Sequence, residues 1–237
     1  MGGLPSVEER ALVLPGWSIT RASARGTLHI VTRLDRETSG VVVVALHPLA
    51  ARRYQMAMQN RRVEKTYLAF LNDELHEEKV VEAPLVRDAG NAIAVKRRVA
   101  LAGEPGAESA QTRFEPIIAT RGLTLARVFP LTGRTHQIRV HAAHLGHAIV
   151  GDKLYGPDET LYLEFAKQGW TARHAAALPM RRQALHASRL RFLEEGLGEF
   201  MAPPPADLVE FAREKMGLDL ARAWPVGNLN GNGAAIE

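Results

Sequence analysis

Apolar residues in this chain fall mainly into short, β-branched blocks separated by charged or glycine-containing turns. Thr27–Val31 and Val41–Leu46 predict two buried strands. The polar octet between them, Arg33-Leu34-Asp35-Arg36-Glu37-Thr38-Ser39-Gly40, then reads as a loop held at both ends. Pro48 suits the first turn of a helix, and Ala50, Tyr54, Ala57 and Met58 follow it as one apolar stripe. Arg52, Arg53, Arg61 and Arg62 lie off that stripe or just past it. Strands are predicted over Lys65–Leu71, Lys79–Val86, Ala92–Leu101, Ser109–Pro116 and Leu123–Phe129, with a hairpin turn at Gly103–Gly106. Successive strands without intervening helices favour antiparallel pairing over βαβ units.

The helical period returns over Thr135–Leu145, which Gly146 closes, and over the short stretch Leu161–Gln168. Arg182–Ala187 reads as strand and helix-cap packing with one phosphate contact. Pro203-Pro204-Pro205 is a stiff connector to a helix at Asp207–Met216, with Leu208 and Phe211 inward. Pro5, Pro15 and Gly16 interrupt any long element near the start, and the Gly- and Asn-rich end predicts a disordered tail. The fold class expected is α+β, a large mostly antiparallel mixed β-sheet with flanking helices. The divisions are an irregular segment at 1–26, a principal domain at 27–205, a C-terminal helix at 206–224 and a tail at 225–237.

Composition changes this picture little. A chain of 237 residues with 46% hydrophobic and 24% charged residues has ample material for a core. No apolar run has the length of a membrane span, and the start lacks a signal-peptide layout, so the cytoplasm is expected. The absence of cysteine excludes disulfides, thiolate metal sites and cysteine nucleophiles. Charge adds more. Residues 192–237 hold eight acids against three bases, which leaves 27 bases against 18 acids, a net of +9, in residues 1–191. A basic body of that kind suits a polyanion.

Two segments carry candidate chemistry. In the octet, one acid, Asp35, sits between Arg33 and Arg36, either as a solvated surface turn or as a positioned catalytic group. The second segment, Leu131-Thr132-Gly133-Arg134-Thr135-His136-Gln137-Ile138-Arg139-Val140-His141, lies where a strand gives way to a helix, with backbone amides free for anions. Arg134, Gln137 and Arg139 supply directed donors there. Apolar neighbours hold Arg139 at the edge of a core, which calls for a carboxylate partner, and Asp35 is the natural candidate. His136, His141, His144 and His147 raise the question of a metal site, but no acid accompanies them and a structural role is expected. Asp152, after Gly151, reads as a loop cap, and Tyr67 in isolation as a core strand tyrosine.

Together the two segments resemble the RluA-type family of RNA pseudouridine synthases, whose motifs read R-L-D-x-x-T-S-G and G-R-(T/S)-H-Q-(I/L)-R-V-H. The resemblance extends to Lys65-Thr66-Tyr67, to Gly146–Gly156 and to Arg182-Gln183-Ala184-Leu185-His186-Ala187, and so runs from about Thr27 to about Pro205. It implies a catalytic role for Asp35 as nucleophile or base, for Tyr67 against the flipped base, and for Arg139 as partner of the aspartate. It implies RNA contacts for Arg33, Arg36, Lys65, Arg134, His136, Gln137 and Arg182, with Arg33 filling the vacated stack. No metal and no cofactor are implied, since the reaction is an isomerisation. The expected partner is structured RNA, ribosomal or transfer, met by a monomer at a basic cleft between two subdomains with Asp35 on its floor. Thr32 replaces the histidine that usually precedes the first motif. Met1–Gly26 matches neither the family's Lys-Pro-x-Gly segment nor its small N-terminal RNA-binding domain. A non-catalytic RNA-binding protein on the same fold, and a histidine-based metal hydrolase, are the rival readings.

Overall fold

The computed structural model describes residues 28–222 and 224. The readings made for Met1–Gly26, for Thr27 and for 225–237 lie outside them. The first half contains β1 (His29–Ile30), β2 (Ser39–Gly40), β3 (Val44–Ala45), α1 (Pro48–Gln59), β4 (Val63–Asn72), β5 (Lys79–Glu82), β6 (Leu85–Arg87) and β7 (Arg97–Val99). The second half adds β8 (Gln111–Thr120), β9 (Leu123–Pro130), α2 (Gln137–His144), α3 (Thr160–Gln168), α4 (Ala172–Ala177), β10 (Leu185–Phe192), β11 (Glu199–Met201) and α5 (Ala206–Phe211). A wider π-type turn, Ala212–Met216, prolongs α5 until Gly217 closes it in the left-handed region.

A seven-stranded sheet forms the scaffold, in the order β11-β10-β4-β9-β8-β5, with β2 joined to β10 as well. All its pairings are antiparallel except β2 with β10, which is parallel. Small two-stranded sheets, β1–β3 and β6–β7, complete a mixed α+β fold. In β4, Leu68, Ala69, Phe70 and Leu71 are all buried, as a strand covered on both faces requires. They pack with Phe114, Leu125, Val128, Ile149, Leu185 and Phe211 in the principal core. A second cluster under α1 joins Tyr54 and Ala57 to Val43, Leu190, Phe192 and Leu197.

Several elements depart from the sequence pattern. The two strands predicted around the octet pair over only two residues each, and Ile30, Val42, Val44 and Leu46 are exposed. Val43 and Ala45 of that block are buried and Val41 packs partly against the cluster under α1, so the apolar run covers one face of a short ribbon. The buried stripe of α1 begins at Ala51 rather than Ala50. Lys79–Val86 divides at Ala83-Pro84, where the chain leaves the large sheet for β6. Proline has no N–H to continue a ladder. Conversely, β8 runs four residues past Pro116 because a register shift between Pro116 and Ile118 absorbs the missing donor. Ala92–Leu101 is strand only at Arg97–Val99. Most of β10 escaped the pattern because His186 and Ser188 occupy buried positions. Their polar atoms bond Ser39, Ala202 and Thr66 instead of solvent.

Candidate active site

The octet is fixed onto the sheet by backbone first. A turn closes through Thr38 N–H to the Asp35 carbonyl at 3.0 Å, and Glu37 takes a positive φ of 73°. The chain then enters β2, where Gly40 lies opposite Ala187 of β10. A β-carbon at Gly40 would stand 2.2 Å from the Ala187 carbonyl oxygen, so only glycine permits this approach. Ala187 in turn faces Tyr67 of β4. Register alone therefore sets Gly40, Ala187 and Tyr67 at one level on successive strands. Gly40→Ala is expected to undock the loop, costing about 1–3 kcal/mol with a drop in Tm measurable by calorimetry.

Side chains then hold the loop as well. The buried Lys153 ammonium donates to both carboxylate oxygens of Glu37 (3.0 and 2.8 Å) and to the Arg181 carbonyl (2.5 Å). It also lies 4.4 Å from the Phe165 ring centroid. Gln183 donates to the Arg36 carbonyl and to Thr38 Oγ1. Arg182 donates to the Glu37 carbonyl while chelating Asp207 with Nε and Nη2. At the base of the loop, Thr32 Oγ1 accepts the Val43 amide at 2.9 Å. A threonine where the family has histidine thus closes the loop locally.

The turn presents Asp35 to a buried polar cluster. Arg139 Nη1 lies 3.4 Å from Asp35 Oδ2, at the long end of hydrogen bonding. Its stronger partner is Asp152, which accepts from Nε at 2.7 Å and Nη2 at 2.9 Å in a two-pronged pair. The expectation that Arg139 belongs chiefly to Asp35 is corrected here, because the completely buried Asp152 demands the guanidinium more. Asp152 also accepts the Leu154 and Tyr155 amides, so it caps its loop as expected and anchors Arg139 as well. Burial presses the Asp152 carboxyl upward, but Arg139 and those amides outweigh it and hold it below its ordinary value. Burial works against the charge of Arg139 too, yet Asp152 and Asp35 keep it firmly protonated. Burial and the Asp35 charge raise the Tyr67 phenol to about 12, so it stays protonated at neutral pH.

His136 completes the cluster from the left-handed N-cap of α2. The Arg97 amide donates to the Tyr155 hydroxyl at 2.9 Å, and the same hydroxyl shares a hydrogen bond with His136 Nδ1, also at 2.9 Å. The other ring nitrogen, His136 Nε2, faces Asp35 Oδ2 at 4.0 Å. Burial, reinforced by Arg139, lowers the His136 pKa to about 4, so the ring is neutral at pH 7. Burial also lowers His141 and His186. Unfolded histidines titrate near ~6.5. These three residues therefore contribute stability that is complete above that pH and is lost as pH falls toward their folded values. Urea midpoints should therefore fall between pH 7 and pH 5, as these histidines take up protons on unfolding.

Other predicted site residues divide clearly. Arg33 and Arg36 are exposed on the loop, with Arg36 5.8 Å from the Phe165 ring centroid. Lys65 is partly buried beside Gly133. Arg134 bonds Glu108 and the Ser109 carbonyl but keeps an exposed edge. Gln137 is corrected from RNA contact to internal brace: it is buried, accepts from Thr132 and Arg134, and donates to Gln111 and Thr112. Arg182 is corrected likewise, since all its nitrogens bond within the protein. Among the described residues, no three histidine, aspartate or glutamate side chains group to hold a metal. His141 and His147 bond the separate carbonyls of Ala83 and Asn72. Sequence reasoning missed Tyr155, Lys153, Gln183 and Glu37 as parts of the site. The first two stand in the Gly151–Gly156 stretch, whose dense glycine and polar content was the available signal.

Comparison with known proteins shows the family. A family described as RNA pseudouridylate synthase matches residues 17–144. An "Uncharacterized RNA pseudouridine synthase" of Chloroflexus aurantiacus is 37% identical over 182 residues, covering 76% of this chain and 51% of that one. "Ribosomal large subunit pseudouridine synthase C" of Yersinia pestis is 37% identical over 190 residues, covering 80% and 54%. The chain thus spans about half the length of the curated relatives it matches. Among solved structures, "Human RNA Pseudouridylate Synthase Domain Containing 4" superposes with a TM-score of 0.61 at 26% identity, covering 78% of this chain and 75% of that one. "Human RNA Pseudouridylate Synthase Domain Containing 1" gives 0.60 at 28%, with 76% and 70% covered. With the aspartate loop, the arginine helix and the strand tyrosine brought to one cluster, the chain belongs to the RNA pseudouridylate synthase family.

Proposed function

We propose that this protein isomerises uridine to pseudouridine in a structured RNA, with Asp35 as the residue that acts on the ribose. The observation that carries this reading is a partly exposed carboxylate on a rigidly held loop, backed by a buried arginine that does not depend on it for charge balance. The reaction breaks the bond from ribose C1′ to uracil N1 and forms one from C1′ to C5. The C5 proton leaves and N1 gains a proton, so the atoms balance without a redox partner. Tyr67 offers a neutral aromatic face for a base turned out of its stack. Neutral His136 brings its Nε2 to 4.0 Å from Asp35 Oδ2. Exposed Arg33 and Arg36 supply cations at the loop rim, where Arg33 can enter the gap the base leaves.

Large-subunit ribosomal RNA is the first substrate to try, because the Yersinia pestis relative is a ribosomal large subunit pseudouridine synthase. Unmodified ribosomal and transfer RNA transcripts incubated with the protein should acquire carbodiimide adducts that stop reverse transcription at defined uridines. Transcripts without new stops, at protein in excess over RNA, would reject the reading.

A further inference from the structure

Beside the Asp35 cluster, Met58, Gln59, Arg61 and Val63 face Pro130–Arg134 across a cleft of about 300 Å³, with Lys65 between them. Lys65 precedes Tyr67 by two residues on β4, so both side chains project from the same face of the strand. Arg134 likewise stands two residues before His136. The cleft is therefore bounded by the same two segments that build the candidate active site.

Its chemistry is that of an unfilled anion site. The Lys65 ammonium is partly buried, and among the described residues no carboxylate or carbonyl pairs with it. Burial lowers its pKa with no acidic neighbour to offset the effect. The amides of Thr132 and Gly133, on the opposite wall, have no protein acceptor among the described residues. Gly133 needs no left-handed backbone, and among the described residues beyond its chain neighbours a β-carbon there would approach one atom, Lys65 Nζ, at 3.2 Å. The glycine thus keeps space open beside the ammonium rather than serving a turn. Arg61 is exposed at the rim, while Arg134 is already engaged by Glu108. An unpaired ammonium in a cleft also lined by residues with unpaired backbone N–H groups is a common way to hold a phosphate.

We infer that this cleft binds one backbone phosphate of the RNA next to the target uridine, with Lys65 as its central ligand and Gly133 as the residue that admits it. The inference rests on the RNA-modifying reading above and adds a subsite to it. A cleft of this volume lies at the small end for ligand pockets, which suits one phosphate and part of its sugar rather than a second extruded base.

The test uses the full chain and an RNA on which the wild type forms product. Lys65→Met should lower the slope of log affinity against log salt by about 1 and raise KM roughly tenfold, the loss falling on KM rather than kcat. Lys65→Arg should recover most of the slope. Gly133→Ala, which strains no backbone, should raise KM by crowding the ammonium. An unchanged salt slope and KM in Lys65→Met would overturn the subsite, as would a fall in kcat at constant KM. Thermal melts of all three variants identify any that fail to fold, and Gly133→Ala then carries the decision. If the wild type makes no pseudouridine in any RNA, the functional reading fails instead, so the two failures are distinguishable.

Discussion

Asp35→Asn is expected to lower pseudouridine formation by at least about 10⁴-fold, the scale at which removal of a central catalytic group is felt, while leaving RNA affinity equal or slightly higher. Both parts follow from the local charges. Arg139 keeps its two-pronged bond to Asp152 whether or not Asp35 is ionised, so the substitution strands no buried cation. The loop is held through Glu37, Arg36 and Thr38, none of which contacts the Asp35 carboxylate. Folding should survive, with Tm close to the wild type. Removing a negative charge from a surface that meets a polyanion cannot weaken encounter electrostatically. Filter binding and a thermal melt, beside the turnover assay, separate loss of chemistry from loss of structure. A variant that failed to bind RNA would show Asp35 to be a structural element.

The largest stability effect should come from the pair behind it. Arg139→Met is expected to cost about 3–5 kcal/mol, as breaking one side of a buried ion pair commonly does. It leaves the wholly buried Asp152 carboxylate with only the Leu154 and Tyr155 amides. In the wild type the folded Asp152 pKa is depressed. Its contribution is therefore present above the ordinary carboxylate range and disappears as pH falls through the folded value. The variant loses that contribution at neutral pH, and its Asp152 should protonate more readily than the wild-type residue. Urea denaturation at pH 7 measures the difference. A loss below about 1 kcal/mol, the usual value of an exposed pair, would contradict the buried pairing. Activity should fall as well, because the guanidinium behind Asp35 is gone.

The two motif segments were legible in the sequence because each is local: a turn between apolar flanks, and donors at a strand-to-helix junction; that they meet was expected from the need of Arg139 for an acid and from the resemblance. The antiparallel core strands β4, β8 and β9 were legible for the same reason, their apolar blocks being bounded by turns. What escaped was set by contacts between distant segments. Arg139 was sought by one visible acid, Asp35, while Asp152 looked like an ordinary loop residue; only burial on folding shows which carboxylate needs the charge more. Gln137 and Arg182 looked like free donors because sequence does not reveal acceptors supplied by Gln111, Glu37 or Asp207. Arg182–Ala187 was read in part as strand, but the rest of β10 was hidden by the buried polar side chains of His186 and Ser188, whose partners lie on three other segments.

The central claim concerns the bond that moves from N1 to C5, and the departing C5 proton reports on it directly. RNA transcribed with [5-³H]uridine, incubated with the protein, should release tritium to water in equal number to the carbodiimide-reactive residues formed, and Asp35→Asn should release none above background. Tritium release that is absent from the wild type, or present undiminished in Asp35→Asn, would contradict the account.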